Sequence, residues 1–380
     1  MEYRRFGRTE KQVSVFTLGT MRFVHGWDEP HNELPEDSLQ NCHEVLQAAL
    51  DAGVNLIETA KGYGKSERLI GQTLPKLRQK RSDYMIMTKA TPPETGTEMR
   101  QRVEDSLRFM DIDHIELFAV HGVNTRELHE RTIRPGGPLE ALQQMQREGL
   151  IGHIGVATHA PLPLILEMIA SDLYDFINLH YYIFKTVNRA AVDYAAAKDM
   201  GLFIISPNDK GGRLYTPSER LAQQTAPLHP ANYNERWILS HPHIHTMTVG
   251  MSEPHHPQIH LDSLNLGTPF WGVEERRIAT LLQQAGSQTG LDRCGVCTLC
   301  MPCPEQIDMP EMLRLEHLAQ AHDMTPFGQY RYSYMDPKDH WVPGAKGNLC
   351  TDCNDCLPRC PQQLPIPQLM RRVHDRLKKS

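Results

Sequence analysis

Eight of the nine cysteines in this 380-residue chain lie in two short runs near its end. The first run, CGVCTLCMPCP, covers residues 294–304, and the second, CTDCNDCLPRCP, covers residues 350–361. Each run holds three cysteines spaced by two residues and then a fourth cysteine followed by proline: Cys294, Cys297, Cys300 and Cys303; Cys350, Cys353, Cys356 and Cys360. Thiolates in such repeats ligate iron–sulfur clusters or zinc, and disulfides are the third alternative.

The paired triplets favour iron–sulfur chemistry. Their spacing is the ligand pattern of bacterial [4Fe–4S] ferredoxins, in which the fourth cysteine of each run ligates the cluster of the other run. We therefore expect one cluster on Cys294, Cys297, Cys300 and Cys360 and a second on Cys350, Cys353, Cys356 and Cys303. The first run has two residues rather than three before its last cysteine. This difference affects the assignment of the fourth cysteines to the two clusters and not the presence of clusters. Zinc sites draw on separated C-x2-C pairs, and disulfide frameworks belong to short secreted chains.

Four ionisable or phenolic side chains lie where predicted strands end. Glu58 ends the second predicted strand, with Tyr63 just beyond it, and Lys89 and His121 end the third and fourth. Each has a structural interpretation, such as an ion pair between Glu58 and Lys89 or a half-buried imidazole at His121. Their occurrence at adjacent strand ends indicates a catalytic site, because parallel strands carry their chemistry at the carboxyl end.

The elements that position these residues follow an alternating pattern. Apolar runs predict eight strands, at residues 13–21, 55–59, 84–90, 115–121, 151–158, 176–182, 201–206 and 245–251. Helical periodicity predicts the intervening helices, at residues 41–53, from 66 onwards, 97–110, 139–148, 162–170, 188–199, 232–240 and 257–264. Eight strand–helix units in this length indicate a parallel α/β fold, a (β/α)8 TIM barrel rather than an open doubly wound sheet.

Two domains follow from this reading. Residues 1–285 form the barrel, with Cys42 a core thiol, and residues 286–380 form a small, mainly α-helical iron–sulfur domain. A helix is predicted at residues 310–323, between the cysteine runs. The Pro-, Gly- and Tyr-rich segment 324–348 is predicted to be irregular.

Composition excludes some partners. Hydrophobic residues make up 40% and charged residues 23%, and the net charge of −6 gives no reason to expect nucleic acid or a membrane surface. The charged start lacks a signal-peptide core, and no apolar run reaches the ~20 residues of a membrane span. With thiolates held for iron, these features predict a cytoplasmic protein. The basic end RRVHDRLKKS is a solvated helix end or a docking patch for an acidic redox partner.

Residues 1–285 resemble the aldo-keto reductase superfamily. The resemblance is carried by GTM at 19–21, by ETAKGYGKSE at 58–67 for the family's Asp-Thr-Ala-x-x-Tyr-Gly-x-Ser-Glu, by TKA at 88–90 and by the strand-four histidine. With the cysteine runs, the whole chain resembles the branch of that family with a C-terminal ferredoxin-like domain. The resemblance implies that Tyr63 is the general acid, that Lys89 lowers its pKa, that His121 orients the substrate carbonyl, and that Glu58 anchors Lys89 in place of an aspartate.

The resemblance also implies a nicotinamide cofactor, NADP(H) or NAD(H). The positions it implies for cofactor binding are Gly19, Thr20, Met21, Thr158, Asn178, Ser206, Lys210, Gly211, Arg213, Gly250, Ser252 and His256. Several depart from the family pattern: Ala157 and Thr158 replace Ser-Asn, Asn178 replaces glutamine, and Ile205 replaces a stacking aromatic residue. No arginine follows the last strand to bind a 2′-phosphate. A histidine metal site on His241, His243, His245 and His255 is disfavoured by their spacing.

Hydride transfer moves two electrons together, whereas each cluster passes one. No motif marks a flavin site, although a barrel can bind flavin without one. Three hypotheses follow: an NAD(P)H-dependent reductase of a small carbonyl substrate with accessory clusters, a reductase fed through its clusters by a ferredoxin-like or other redox protein, and a non-catalytic barrel that serves an iron–sulfur module.

Overall fold

The computed structural model describes residues 1–23, 33–209, 212–290 and 294–379. The strands are β1 Tyr3–Arg5, β2 Gln12–Ser14, β3 Phe16–Gly19, β4 Leu56–Glu58, β5 Met85–Ala90, β6 Ile115–His121, β7 Ile151–Ala157, β8 Phe176–Leu179, β9 Gly201–Ile204 and β10 Thr246–Gly250. The barrel region holds the helices α1 Glu36–Asp51, α2 Ser66–Thr73, α3 Gly96–Met110, α4 Arg126–Ile133, α5 Pro138–Arg147, α6 Leu162–Ala170, α7 Arg189–Ala197, α8 Glu219–Thr225, α9 Pro230–Leu239, α10 His256–Asn265 and α11 Val273–Ser287. The remaining helices are α12 Met309–His322, α13 Thr325–Ser333 and α14 Ile366–Leu377.

Eight parallel strands close into a barrel in the order β10-β3-β4-β5-β6-β7-β8-β9. Consecutive strands pair, and β3 closes the ring by pairing with β10, so that Gly19 lies opposite both Glu58 and Gly250. The predicted (β/α)8 barrel is confirmed. Its closure brings the ends of β3, β4 and β10 together, although they are far apart in the sequence.

Large apolar side chains fill the barrel and close its amino end. Leu56, Met87 and Phe203 belong to the buried interior cluster. The β1–β2 hairpin places Phe6 beneath them, with its ring centroid 5.5 Å from that of Phe176. Because the amino end is filled, the carboxyl ends of the strands are the side left for chemistry.

The region after α11 is helical and shares a core with the barrel's outer helices. Buried side chains of α12, α13 and α14 pack in one cluster with Leu221 of α8 and Ile278 of α11. Helix α11 ends at Ser287, so the predicted boundary after residue 285 falls in its last turn. The division at that point stays a prediction.

The structure corrects one segment prediction. Residues 324–348 were expected to be irregular, but they contain α13. Phe327 and Tyr332 are buried against α12 and α14. This tertiary burial stabilises a helix that local composition does not predict.

A buried ion-pair network joins α12 to the carboxyl side of the barrel. The Arg314 guanidinium lies 2.7 Å from Glu311 and 3.5 Å from Asp209, which follows β9. Lys185, which follows β8, lies 3.4 Å from Glu311. These contacts hold the C-terminal region over the β8 and β9 side of the barrel.

The basic end of the chain lies on α14. Arg372 and Arg376 lie 3.3 Å and 3.0 Å from the buried carboxylate of Glu316, and Arg371 pairs with Asp352. These cations are paired within the chain, as the helix-end interpretation expects, and the docking patch stays a hypothesis. No helix in the described residues is long and apolar enough to span a membrane.

Candidate active site and thiol groups

A buried ion pair between Glu58 and Lys89 lies at the centre of the carboxyl end. Both side chains are almost fully buried, and Lys89 also donates to the Thr59 carbonyl at 3.0 Å. The second Glu58 oxygen accepts from the Thr248 hydroxyl of β10 at 3.1 Å. The longer glutamate stem therefore still reaches Lys89, and closure of the barrel holds the carboxylate from its other side.

Tyr63 lies in the turn after β4, directly beside this pair. The Lys89 ammonium lies 4.3 Å from the centroid of the Tyr63 ring, which is a cation–π distance. We expected Lys89 to lower the pKa of Tyr63. Instead, burial raises the pKa of Tyr63 above its ordinary value. The cause is the loss of hydration of the phenol on burial.

A chain of hydroxyl groups fixes the turn that carries Tyr63. Ser66, at the start of α2, donates to the Thr20 hydroxyl at 2.6 Å and lies 2.9 Å from the Thr59 hydroxyl. Thr20 donates to the Glu58 carbonyl at 3.1 Å. The polar residues of the ETAKGYGKSE motif thus position the turn. Thr20 is buried and holds the end of β4, so its hydroxyl does not face the open end of the barrel.

His121 completes the group, and a tryptophan from the C-terminal region covers it. The His121 ring lies edge-on to Tyr63, with 6.0 Å between centroids, and 5.0 Å from the ring of Trp341. A Cβ atom added to Gly122 would lie 2.6 Å from Trp341, so the indole packs directly on that backbone. Asn124 donates to the His340 carbonyl at 2.9 Å and fixes the same segment. Sequence reasoning missed Trp341.

The two residues expected to bind the nicotinamide carboxamide, Thr158 and Asn178, differ in whether their polar atoms already have hydrogen-bond partners. The Thr158 hydroxyl donates to the Val123 carbonyl at 2.7 Å and accepts from the Ala160 N–H at 2.9 Å. Asn178 is fully buried, and its Oδ1 atom has no hydrogen-bond partner. Thr158 is therefore engaged within the protein, whereas Asn178 offers an acceptor for an amide N–H.

The residues expected near the cofactor phosphates surround Arg22, a cation that the sequence analysis did not select. Added Cβ atoms at Gly212 and Gly250 would lie 2.5 Å and 2.7 Å from the Arg22 side chain. The Ser252 N–H donates to His256 Nδ1 at 3.2 Å, and burial followed by the nearby imidazoles and Arg22 lowers the pKa of His256. Arg22 thus lies between the ends of β3 and β10, where it could pair with a phosphate.

The other expected cofactor residues are more scattered. Met21 is 55% exposed, and Ser206 has a left-handed backbone with φ of 49°. Arg213 lies over the ring of Tyr330 in α13, 5.5 Å from its centroid, so it contacts the C-terminal region. Lys210 and Gly211 lie outside the described residues.

The eight cysteines of the two runs form two neighbouring groups. Burial and the nearby thiols of Cys294, Cys297 and Cys360 raise the pKa of Cys300 to about 12. Burial and the nearby thiols of Cys350, Cys353 and Cys303 likewise raise the pKa of Cys356. The fourth cysteine of each run thus lies beside the triplet of the other run.

The backbone of the two runs repeats. Val296 and Thr298, on either side of the middle cysteine of the first run, have left-handed φ angles of 49° and 63°. Asp352 and Asn354 occupy the equivalent places with φ of 57° and 65°. A left-handed conformation is costly for a β-branched residue such as valine, so its presence indicates a functional constraint.

The described residues form no single-ion metal site. Within that part of the chain, neither the two cysteine runs nor the histidines bring three His, Cys, Asp or Glu side chains close enough to hold one metal ion. His241 bonds to the Trp237 carbonyl at 2.8 Å, and His245 accepts from the Leu202 N–H at 2.9 Å. Cys42 is buried in the barrel core, as expected.

Comparisons with known proteins agree with the barrel. Residues 16–269 match the Aldo/keto reductase family, a match that ends before Cys294. The uncharacterised oxidoreductase YrpG of Bacillus subtilis is 27% identical over 237 residues, which cover 56% of this chain and 68% of that protein.

Solved structures share the fold. An aldo-keto reductase from Bacillus halodurans, in its holo form, has a TM-score of 0.61 at 20% identity, covering 74% of this chain and 96% of that one. An aldo-keto reductase from Klebsiella pneumoniae in complex with NADPH has a TM-score of 0.57 at 19% identity, covering 74% and 94%. The chain therefore belongs to the aldo/keto reductase family and is an enzyme of the aldo-keto reductase type.

Proposed function

We propose that the protein is an oxidoreductase that reduces a small carbonyl substrate with NAD(P)H and carries two [4Fe–4S] clusters. The observation that carries the proposal is the convergence of Tyr63, His121 and the Glu58–Lys89 pair at the carboxyl end of one barrel. The reducing compartment that such thiolates need is the cytoplasm.

Each side chain of this group has a chemical role. The phenol of Tyr63 donates a proton to the carbonyl oxygen, and the imidazole of His121 orients that oxygen. Lys89, held by Glu58, keeps a positive charge beside the oxygen as its negative charge develops. Trp341 covers the group and excludes water from one side.

When bound, a nicotinamide would supply the hydride for the carbonyl carbon. Asn178 would accept from the carboxamide, and Arg22 with the backbone at Gly212 and Gly250 would bind the phosphates. The relative from Klebsiella pneumoniae was solved with NADPH, which supports this use of the barrel end.

The two thiol groups fit two [4Fe–4S] clusters in a small ferredoxin-like domain at residues 286–380. Cys294, Cys297, Cys300 and Cys360 would hold one cluster, and Cys350, Cys353, Cys356 and Cys303 the other. In a cluster each thiolate binds its own iron, so the ligands need not converge as they do around one ion. Bound clusters supply or accept electrons one at a time.

A second candidate function is a reductase fed through its clusters by an external redox protein. It is favoured by Thr158, whose hydroxyl is engaged with Val123 and Ala160 rather than turned to a carboxamide. In that case Tyr63 and His121 supply protons, while the electrons arrive through the C-terminal region.

Replacing Tyr63 with phenylalanine tests the proposal. Loss of a general acid lowers rates by roughly 100- to 10,000-fold, so Tyr63→Phe should reduce kcat/KM for aromatic aldehydes and α-diketones by that factor. The visible absorbance of the clusters should not change. Tyr334→Phe, at a tyrosine that is 55% exposed, is the matched control. Unchanged turnover in Tyr63→Phe would remove Tyr63 as the acid.

A further inference from the structure

A cleft of about 830 Å³ lies between the barrel and the C-terminal helices, separate from the active-site group described above. The loops after β7 and β8 form one wall, and α11, α12 and the first cysteine run form the other. Small-molecule sites occupy about 300–1,000 Å³ and are mostly apolar. The cleft is therefore large enough for a multi-ring ligand.

The cleft reaches both of the chemical centres of the molecule. At one end, the rings of His159 and His180 lie 4.6 Å apart, and His159 lies 5.2 Å from Trp341, which contacts His121. The other end is lined by Cys294 and Cys303, one cysteine from each thiol group. A ligand that fills the cleft would contact one cysteine of each proposed cluster, and the rings of His159 and Trp341 would lie between it and His121.

The charge of the wall favours an uncharged ligand. Lys185 and Arg314 line the cleft, but both pair with Glu311. Prolines and aliphatic side chains form much of the remaining surface, among them Leu162 and Leu313. A phosphate-bearing cofactor would find the cations of the cleft already paired, whereas a neutral ring compound would bury apolar surface there.

We infer that the cleft binds a flat, uncharged, conjugated cyclic dicarbonyl of the quinone class. A quinone is a carbonyl compound that accepts single electrons, which suits a site that touches both thiol groups. Two reduced clusters, held by the two cysteine runs, would each supply one electron, and the quinone would take up these two electrons and two protons from water. Its two C=O bonds become C–O–H, giving the hydroquinone. A low-potential one-electron donor returns the clusters to the reduced state.

Because the clusters are themselves proposed, the inference rests on the proposed function. The test uses the full-length, anaerobically purified protein and the naphthoquinone menadione as the probe. Gln283→Trp on α11 and Thr186→Trp after β8 each place an indole in the cleft from an exposed position on opposite walls. Gln284→Trp, at the neighbouring exposed glutamine that does not line the cleft, is the control.

Two measurements give the outcome: equilibrium dialysis of menadione with the oxidised protein, and stopped-flow reoxidation of dithionite-reduced clusters by menadione or ferricyanide. We expect saturable binding to the wild type and to Gln284→Trp, and a Kd raised about ten-fold or more in both cleft variants. Reoxidation by menadione should slow similarly, while reoxidation by ferricyanide stays unchanged. Absence of saturable binding, or equal Kd values in all variants, would overturn the quinone site. Missing iron would instead overturn the clusters, and the dialysis result would still stand.

Discussion

Glu58 has the charge of the aspartate whose position it occupies, on a stem one methylene longer. The extra length does not separate it from Lys89, because the backbone at Gly19 and the Thr248 hydroxyl confine the carboxylate. Removing one partner of a buried ion pair typically costs about 3–5 kcal/mol. The pair is therefore a structural constraint on the site as well as a source of charge.

In the proposed mechanism, the pKa of Tyr63 sets the pH above which the general acid is lost. Burial raises this pKa above the ordinary value of about 10, so the phenol keeps its proton as the pH rises through the neutral and mildly alkaline range. We expect kcat/KM for carbonyl reduction to show no loss from Tyr63 ionisation between about pH 7 and 9. A pH profile of the wild type, with folding checked by circular dichroism, measures this. A decline with an apparent pKa below about 9 that is absent from Tyr63→Phe would contradict it.

The two residues missed by the sequence analysis, Arg22 and Trp341, make contacts with residues far away in the sequence. Arg22 follows the GTM motif directly, and pairing of the first and last barrel strands could have identified it beside Gly250. Trp341 gives no such signal, because it lies in a Pro- and Gly-rich segment about 220 residues after His121. Its contact depends on how the C-terminal region docks, which local pattern does not encode.

At the scale of elements, the cysteine runs are a repeated structural unit. Each places left-handed residues around its middle cysteine, and each has a left-handed glutamine, Gln306 or Gln363, three residues after its fourth cysteine. A helix follows in both cases, α12 after the first run and α14 after the second. The two runs therefore share a local backbone conformation although their cysteine spacing differs.

The contact between Gly122 and Trp341 can be tested with a matched pair of glycines. Gly122 and Gly136 have φ of +72° and +70°, but only a Cβ at Gly122 meets Trp341, while that at Gly136 meets nothing within 4 Å. Alanine in this left-handed region costs about 1–2 kcal/mol at either site. Gly122→Ala should lose more stability in urea unfolding and should also reduce carbonyl turnover. Equal effects of both variants on stability and turnover would show that the packing of Trp341 on Gly122 contributes to neither.

The barrel elements were largely predictable, since each strand is a continuous apolar run buried on both faces. The spans at residues 115–121 and 162–170 agree with β6 and α6 to the residue. Helices α4, α8 and α13 were not predicted. They are short or lack a clear apolar period, and their stability comes from packing against neighbours.

At the scale of the whole molecule, the C-terminal region covers part of the site as well as carrying the thiol groups. Arg314 and Glu311 join it to the loops after β8 and β9, and the Trp341 ring contacts His121. The cysteine runs that we propose as cluster ligands therefore belong to the same region that packs on the proposed catalytic group.

The crossed assignment predicts the iron content of cysteine variants. The wild type should hold about eight iron and eight sulfide, and the triple variant Cys294→Ser, Cys297→Ser, Cys300→Ser about four of each. Adding Cys360→Ser should leave the remaining cluster intact, whereas adding Cys303→Ser should disrupt it. Cys42→Ala, at the buried barrel cysteine, should hold about eight iron. The opposite effects of Cys303 and Cys360 would mean that each run binds its own cluster.

The central claim is that one molecule holds a nicotinamide in its barrel and two clusters beside it. Anaerobic titration of the iron-loaded protein with NADPH and NADH, following ligand binding and the visible cluster band together, tests it most directly. We predict saturable binding of at least one nucleotide, with bleaching of the cluster band if electrons pass between barrel and clusters. Protein that carries its full iron and binds neither nucleotide would contradict the claim.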